Sequence, residues 1–167
     1  MKDENVIQEC SYFLQPGYMY YSQETAVVHT VVGSCVAVCL WDKRLKSGAI
    51  NHFLRPSTSD PRKATAEFGN VATVELIHIM ERSGSKRADL RAQIIGGGSP
   101  EKQAQTSVGP ENVAVARKVL ERKGIRIVSE DTGGHMGRKV VFEVHTGHVI
   151  VMKVQRIRQE DWLTTNS

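Results

Sequence analysis

The chain has 167 residues, 40% of them hydrophobic and 24% charged, which is ordinary for a globular protein and enough for one domain with a sizeable core. The net charge of +4 favours acidic partners, but it is too mild and too scattered to argue for nucleic acid. The N-terminus, Met1-Lys2-Asp3-Glu4-Asn5, lacks the basic-then-apolar pattern of a secretory leader, and the longest apolar run, Val31 to Trp41, is too short to span a bilayer, so no membrane insertion and a cytoplasmic location are expected.

Residues 1–15 read as an N-terminal segment, after which Pro16-Gly17 introduces the β-like run Tyr18 to Tyr21. Val27 to Val32 reads as a strand, and so does Val36 to Trp41. Between them stands a glycine-bearing turn, Gly33-Ser34-Cys35. A polar loop, Asp42 to Ser47, precedes a return strand that carries Ala49-Ile50 and then Asn51-His52-Phe53. If the last two runs pair as a hairpin, a turn centred between Lys43 and Arg44 sets Cys35 directly across from His52. A turn centred on Leu45 slips the pair by three residues, roughly 10 Å along the strand.

Arg55 to Arg62, rich in proline and serine, reads as a surface loop at the rim of a cleft. Helices are predicted over Asn70 to Arg82, with Val71, Val74, Ile77 and Met80 as the apolar stripe, and over Pro110 to Lys123, with Val113, Ala116, Val119 and Leu120. Between them a short strand, Ala92 to Ile95, runs into Gly96-Gly97-Gly98, a second candidate for the rim. Ile125 to Val128 reads as a strand leading to a flexible turn, Glu130 to Gly134. Val140 to His145 and His148 to Val154 flank a hairpin loop at Thr146-Gly147. This order predicts an α/β sandwich with helices covering one or both faces of a mixed sheet. The domain is placed at 16–155, with 156–167 as a C-terminal tail.

Three cysteines without repeated spacing suggest free thiols. Cys39, inside an apolar strand, reads as a small buried hydrophobe, and Cys10 as a surface thiol. Cys35 differs because it opens a strand after Gly33-Ser34, where backbone amides can be left free to stabilise an oxyanion. A thiol nucleophile needs a base, and the hairpin offers His52. His29 and Thr30 lie on opposite faces of the strand feeding the turn, so only one of them can face the site. His135, His145 and His148 lack the ligand spacing of a zinc site, and no metal is expected.

Thr30 to Val38 with Gly33-Ser34-Cys35, Gly48 to Pro56 with Asn51-His52-Phe53, Ile95 to Gly98, Glu130 to Gly134, Gly137 to Val140 and Thr146 to Val149 together resemble the CheD family of chemoreceptor glutamine deamidases. The resemblance spans roughly residues 16 to 154. It implies a single-domain three-layer α/β sandwich with a mixed, mainly antiparallel sheet and covering helices. It implies Cys35 as nucleophile, His52 as base and a threonine as the third member. Strict counting back from the turn lands on His29, whereas Thr30 supplies the hydroxyl. Ser34, Gly33 and Gly97 are the candidate oxyanion or substrate-binding positions. The implied chemistry is hydrolysis of receptor glutamine amides to glutamate through a thioester, without cofactor. An accessory receptor methylesterase activity and binding of a CheC-type phosphatase are also implied. The alternatives are a non-catalytic regulatory module for such a phosphatase and a cysteine hydrolase of small amides or esters.

Overall fold

The structure, a computed structural model, describes residues 10–100 and 106–162; the outer parts of the N-terminal segment and of the tail lie outside the described residues. The strands are gathered into two sheets. β1 (Cys10–Phe13), β3 (Ala26–Val32), β8 (Gly137–Glu143) and β9 (Val149–Val154) form a four-stranded sheet in the order β1-β3-β8-β9. β2 (Met19–Ser22), β4 (Val36–Asp42), β5 (Ser47–Asn51), β6 (Leu90–Gly96) and β7 (Arg126–Thr132) form a five-stranded sheet in the order β2-β5-β4-β6-β7. Pairing is antiparallel except for β1 with β3 and β6 with β7. The helices α1 (Gly69–Arg82) and α2 (Gly109–Arg122) cover the far face of the five-stranded sheet.

The three layers therefore run sheet, sheet, helices, rather than helices around one sheet. Strand alternation explains the order. Ala37, Cys39, Ile50 and Ile95 of the five-stranded sheet meet Ala26, Val28, Val32, Val140 and Phe142 of the other. The opposite parity, Val36, Val38, Leu40, Ala49, Ala92 and Ile94, packs against Ala72, Leu76, Ile77 and Met80 of α1 and Val113, Ala116 and Leu120 of α2. β4 is apolar on both faces over Val36 to Leu40 because both are covered, whereas β6 carries the half-exposed Arg91 and Gln93 on the face opposite Leu90, Ala92 and Ile94. The stripe of α1 is rotated from the expected one: Ala72, Thr73, Leu76, Ile77 and Met80 are buried, while Val71 and Val74 are half-exposed.

One other expectation needs correction, and the N-terminal segment gains a structure. Glu130 and Asp131 are part of β7, paired to Ile94 and Ile95, so the flexible turn shrinks to Gly133-Gly134, both at positive φ. Ser11, Tyr12 and Phe13 of the N-terminal segment add an edge strand beside Val27, Val28 and His29. Among the described residues, no helix is long and apolar enough to cross a membrane.

Candidate active site

The turn Gly33-Ser34-Cys35 is the crossover from one sheet to the other, because it joins β3 to β4. It thus lies at the mouth of the space between the sheets. The hairpin of β4 and β5 pairs Asp42 with Ser47 and Cys39 with Ile50, and the isolated bridge Val36 to Phe53 continues the same register. The turn is consequently centred between Arg44 and Leu45, a register between the two considered from the sequence. Asp42 Oδ1 fixes it by accepting from the amides of Arg44 (2.8 Å) and Leu45 (3.2 Å), and Lys46 closes it at φ 50°. In this register His52 stands opposite Ala37, and Cys35 is two residues along. An even slip keeps both side chains on one face, as diagonal neighbours about 7–8 Å apart at the backbone. A slip of three would have placed them on opposite faces of the sheet.

Both side chains face the space between the sheets, and so does Thr30, which shares the parity of Val28 and Val32. His29 points outward, where its ring stacks on Phe13 with centroids 5.0 Å apart. The Thr30 hydroxyl lies 2.8 Å from His52 Nδ1 and donates its proton to the carbonyl of Leu14 at 2.9 Å. A hydroxyl has one proton, and a carbonyl can only accept. The network therefore assigns the ring proton to Nδ1, donated to Thr30 Oγ1, and leaves the lone pair on Nε2. Nε2 is buried and has no hydrogen-bond partner among the described residues, the Cys35 sulfur included. The backbone of His52 is fixed as well: its N–H donates to Tyr18 O (3.2 Å) and its carbonyl accepts from Gly17 N (2.7 Å).

Burial sets the protonation states. His52 is 1% exposed, and desolvation lowers its pKa from 6.5 to about 4. Desolvation pushes the Cys35 thiol above its ordinary value, opposed by its own backbone N–H. The pair rests as neutral thiol and neutral imidazole rather than as an ion pair. The indole of Trp162, on a single 3₁₀ turn at Gln159–Trp162, lies nearly parallel to the His52 ring, at 16° and 6.3 Å between centroids. That turn is tied down by Asp161, which pairs with Lys139 at 2.7 Å. Nothing local in the sequence marks Trp162, a tail residue that meets a histidine 110 positions earlier.

The carbonyls of the crossover are held from behind. Gly33 O accepts from Gly98 N at 2.9 Å, and Cys35 O from Gly97 N at 2.8 Å. Ser34 O accepts from Asn112 Nδ2 at 2.8 Å. Among the described residues the amides of Ser34 and Cys35 donate to no backbone carbonyl, and the Cys35 amide faces its own sulfur. Gly97 is corrected here: it is buried behind the turn rather than at a rim, and its N–H is committed to Cys35 O. Its neighbour Gly96, at φ 116°, admits the Cys35 carbonyl so closely that a Cβ there would collide with it. Asn112 was missed, although it falls on the buried stripe of α2 with Ala116 and Leu120, four and eight residues on. Of the other cysteines, Cys39 is 1% exposed in the core and Cys10 is exposed.

A threonine in contact with a histidine, and a cysteine two residues along on the same face, thus stand where an α/β sandwich crosses between its sheets; a hydroxyl, an imidazole and a thiol are the groups that acyl transfer uses. The chain belongs to the CheD family: residues 54–153 match the family profile described as "CheD chemotactic sensory transduction". It is 36% identical over 147 residues to "Probable chemoreceptor glutamine deamidase CheD" of Sulfurimonas denitrificans, covering 86% of this chain and 94% of that one. It is also 36% identical over 142 residues to the protein of the same name from Trichlorobacter lovleyi, covering 84% and 88%. Among solved structures it is similar to the Bacillus licheniformis protein YfiH, with a TM-score of 0.47 and 17% identity over 70% of this chain and 51% of that one.

Proposed function

We propose that this protein is a protein-glutamine deamidase acting on chemoreceptors, with Cys35 as nucleophile, His52 as base and Thr30 as the group that orients His52. The observation that carries the reading is the 2.8 Å contact between Thr30 Oγ1 and His52 Nδ1, which reaches across two sheets beside the Cys35 turn. The names of its relatives supply the substrate class: the glutamine side chain of a chemotaxis receptor.

In the first step the Cys35 sulfur attacks the glutamine amide carbon while its proton passes to His52 Nε2. The new oxyanion is held by the amides of Ser34 and Cys35, neither of which donates to a backbone carbonyl among the described residues. The C–N bond then breaks, and the imidazolium returns its proton to the departing nitrogen, which leaves as ammonia. Water, deprotonated by Nε2, attacks the thioester; the C–S bond breaks and the sulfur recovers its proton. The product is glutamate, and no redox partner or cofactor enters the balance. Acid–base assistance of this kind is worth ~10²–10⁴-fold. A receptor methyl ester would pass through the same acyl-enzyme with methanol as the leaving group. A CheC-type phosphatase is the regulatory partner under this reading.

The test is incubation with a purified cytoplasmic receptor fragment, with glutamine-to-glutamate conversion mapped by mass spectrometry. Conversion at defined glutamines, lost in Cys35→Ala, is the expected result. Turnover of free glutamine and simple amides with none on the receptor would favour a small-molecule hydrolase. Absence of any turnover alongside tight phosphatase binding would favour a regulatory module.

A further inference from the structure

We infer that Asn112, on the first turn of α2, is a positioning residue that aims the Cys35 amide into the site; the inference rests on the deamidase reading above.

The Asn112 side chain is fully buried, and its Nδ2 makes two hydrogen bonds. One goes to Ser34 O at 2.8 Å, the other to Leu54 O at 3.1 Å. Ser34 immediately precedes the sulfur-bearing residue, and Leu54 follows His52 by two. One carboxamide therefore links the segment carrying the nucleophile to the segment carrying the base.

The consequence follows from peptide geometry. The carbonyl of Ser34 and the N–H of Cys35 belong to one planar peptide unit and point in opposite directions when it is trans. Among the described residues no peptide bond is cis. Holding Ser34 O toward α2 thus turns Cys35 N–H away from α2, toward the space where the substrate oxygen would develop charge. Gly98 N does the same to the preceding unit through Gly33 O, which directs Ser34 N–H. The helix is in turn a fixed platform. A Cβ on Gly109 would meet Gly97 O and Gly98 O, so helix, glycine loop and crossover are packed backbone to backbone.

The rest of the Asn112 amide argues against a purely structural role. Among the described residues Oδ1 has no partner, and it is buried on a stripe where a leucine would pack with Ala116 and Leu120. An unsatisfied buried acceptor is costly, so the amide is retained at a disadvantage to simple packing. Its two donors account for it.

The experiment compares wild type with Asn112→Leu, Asn112→Asp and Asn112→Ser, each measured for thermal unfolding, kcat, KM and the rate of Cys35 alkylation by iodoacetamide. Leu120→Ala, two turns further along α2, serves as a control for stability lost without loss of aim. Removing an oxyanion donor typically costs ~10²–10³-fold in kcat, and a misdirected one is expected to cost at least about tenfold with KM within about twofold. Alkylation of Cys35 should slow in the same variants, while Leu120→Ala retains both rates in its folded state. Three results would overturn the inference: folded Asn112 variants with wild-type kcat and alkylation, an equal kcat loss in Leu120→Ala, or loss of fold in all three Asn112 variants, which would make the residue a structural link only. Absence of receptor deamidation in wild type would instead sink the functional reading, and the alkylation rates would then decide the role of Asn112 on their own.

Discussion

Replacing Thr30 by valine removes one hydroxyl and little volume, and it should disable His52 by an amount that the structure allows one to estimate. The hydroxyl satisfies two buried groups at once, the Nδ1–H of His52 and the carbonyl of Leu14. Each buried group left without a partner costs about 1–3 kcal/mol, so Thr30→Val should lower stability by about 3 kcal/mol. With a urea m-value of about 2 kcal/mol/M, the unfolding midpoint should fall by roughly 1–2 M. The chemical effect is larger. Nδ1 loses its acceptor, so the proton no longer has reason to stay there and the Nε2 lone pair is no longer reserved for the Cys35 thiol. The kcat for deamidation should fall by at least ~10²-fold, the lower end of general-base contributions. Nitrogen NMR of labelled histidine should report an Nδ1–H tautomer in wild type and its loss in the variant. Thr30→Ser should restore most of both. A Thr30→Val protein with wild-type kcat and an unchanged tautomer would refute the reasoning.

The acid side of the stability curve should carry the signature of His52. Its folded pKa of about 4 lies below the unfolded 6.5, so the unfolded chain binds the extra proton first; the contribution is complete above pH 6.5 and is lost as pH falls toward 4, amounting to about 3 kcal/mol. Urea unfolding at pH 7 and pH 4.5 should show a steeper loss in wild type than in His52→Gln, and equal slopes would contradict it. Trp162→Ala should let water reach the ring, so the NMR titration midpoint of His52 should rise from about 4 toward 6.5; an unmoved midpoint would mean that the indole contributes nothing to desolvation. Gly97→Ala should destabilise by about 3 kcal/mol and abolish activity, because a Cβ there meets Val113 and Gly109 O at a φ of 65°; a thermal melt unchanged from wild type would show that the glycine loop yields.

Local pattern made most elements legible. The strands around Cys35, the hairpin and both helices fall within a few residues of their expected ends, since alternation, glycine stops and a proline at a helix start are short-range signals. The division into two sheets was not legible, because it depends on which strands pair at long range, and β3 and β4 look alike as apolar runs. The register at Arg44 and Leu45 turned on one Asx turn from Asp42 and one left-handed lysine, Lys46, neither of which the loop's composition announces. The choice between His29 and Thr30 needed only parity once β3 was known to present Val28 and Val32 to the second sheet. Asn112 and Trp162 lay beyond motif reading: one is a polar residue on an apolar helical stripe, the other a tail residue whose partner is set by tertiary packing alone.

The most direct test of the central claim is to find the acyl group. Acid quenching of wild-type protein during turnover on a receptor fragment, followed by peptide mapping, should reveal substrate linked through a thioester to Cys35 and not to Cys10 or Cys39. Glutamine-to-glutamate conversion that continues in Cys35→Ala, with no adduct on Cys35 in wild type, would contradict the account.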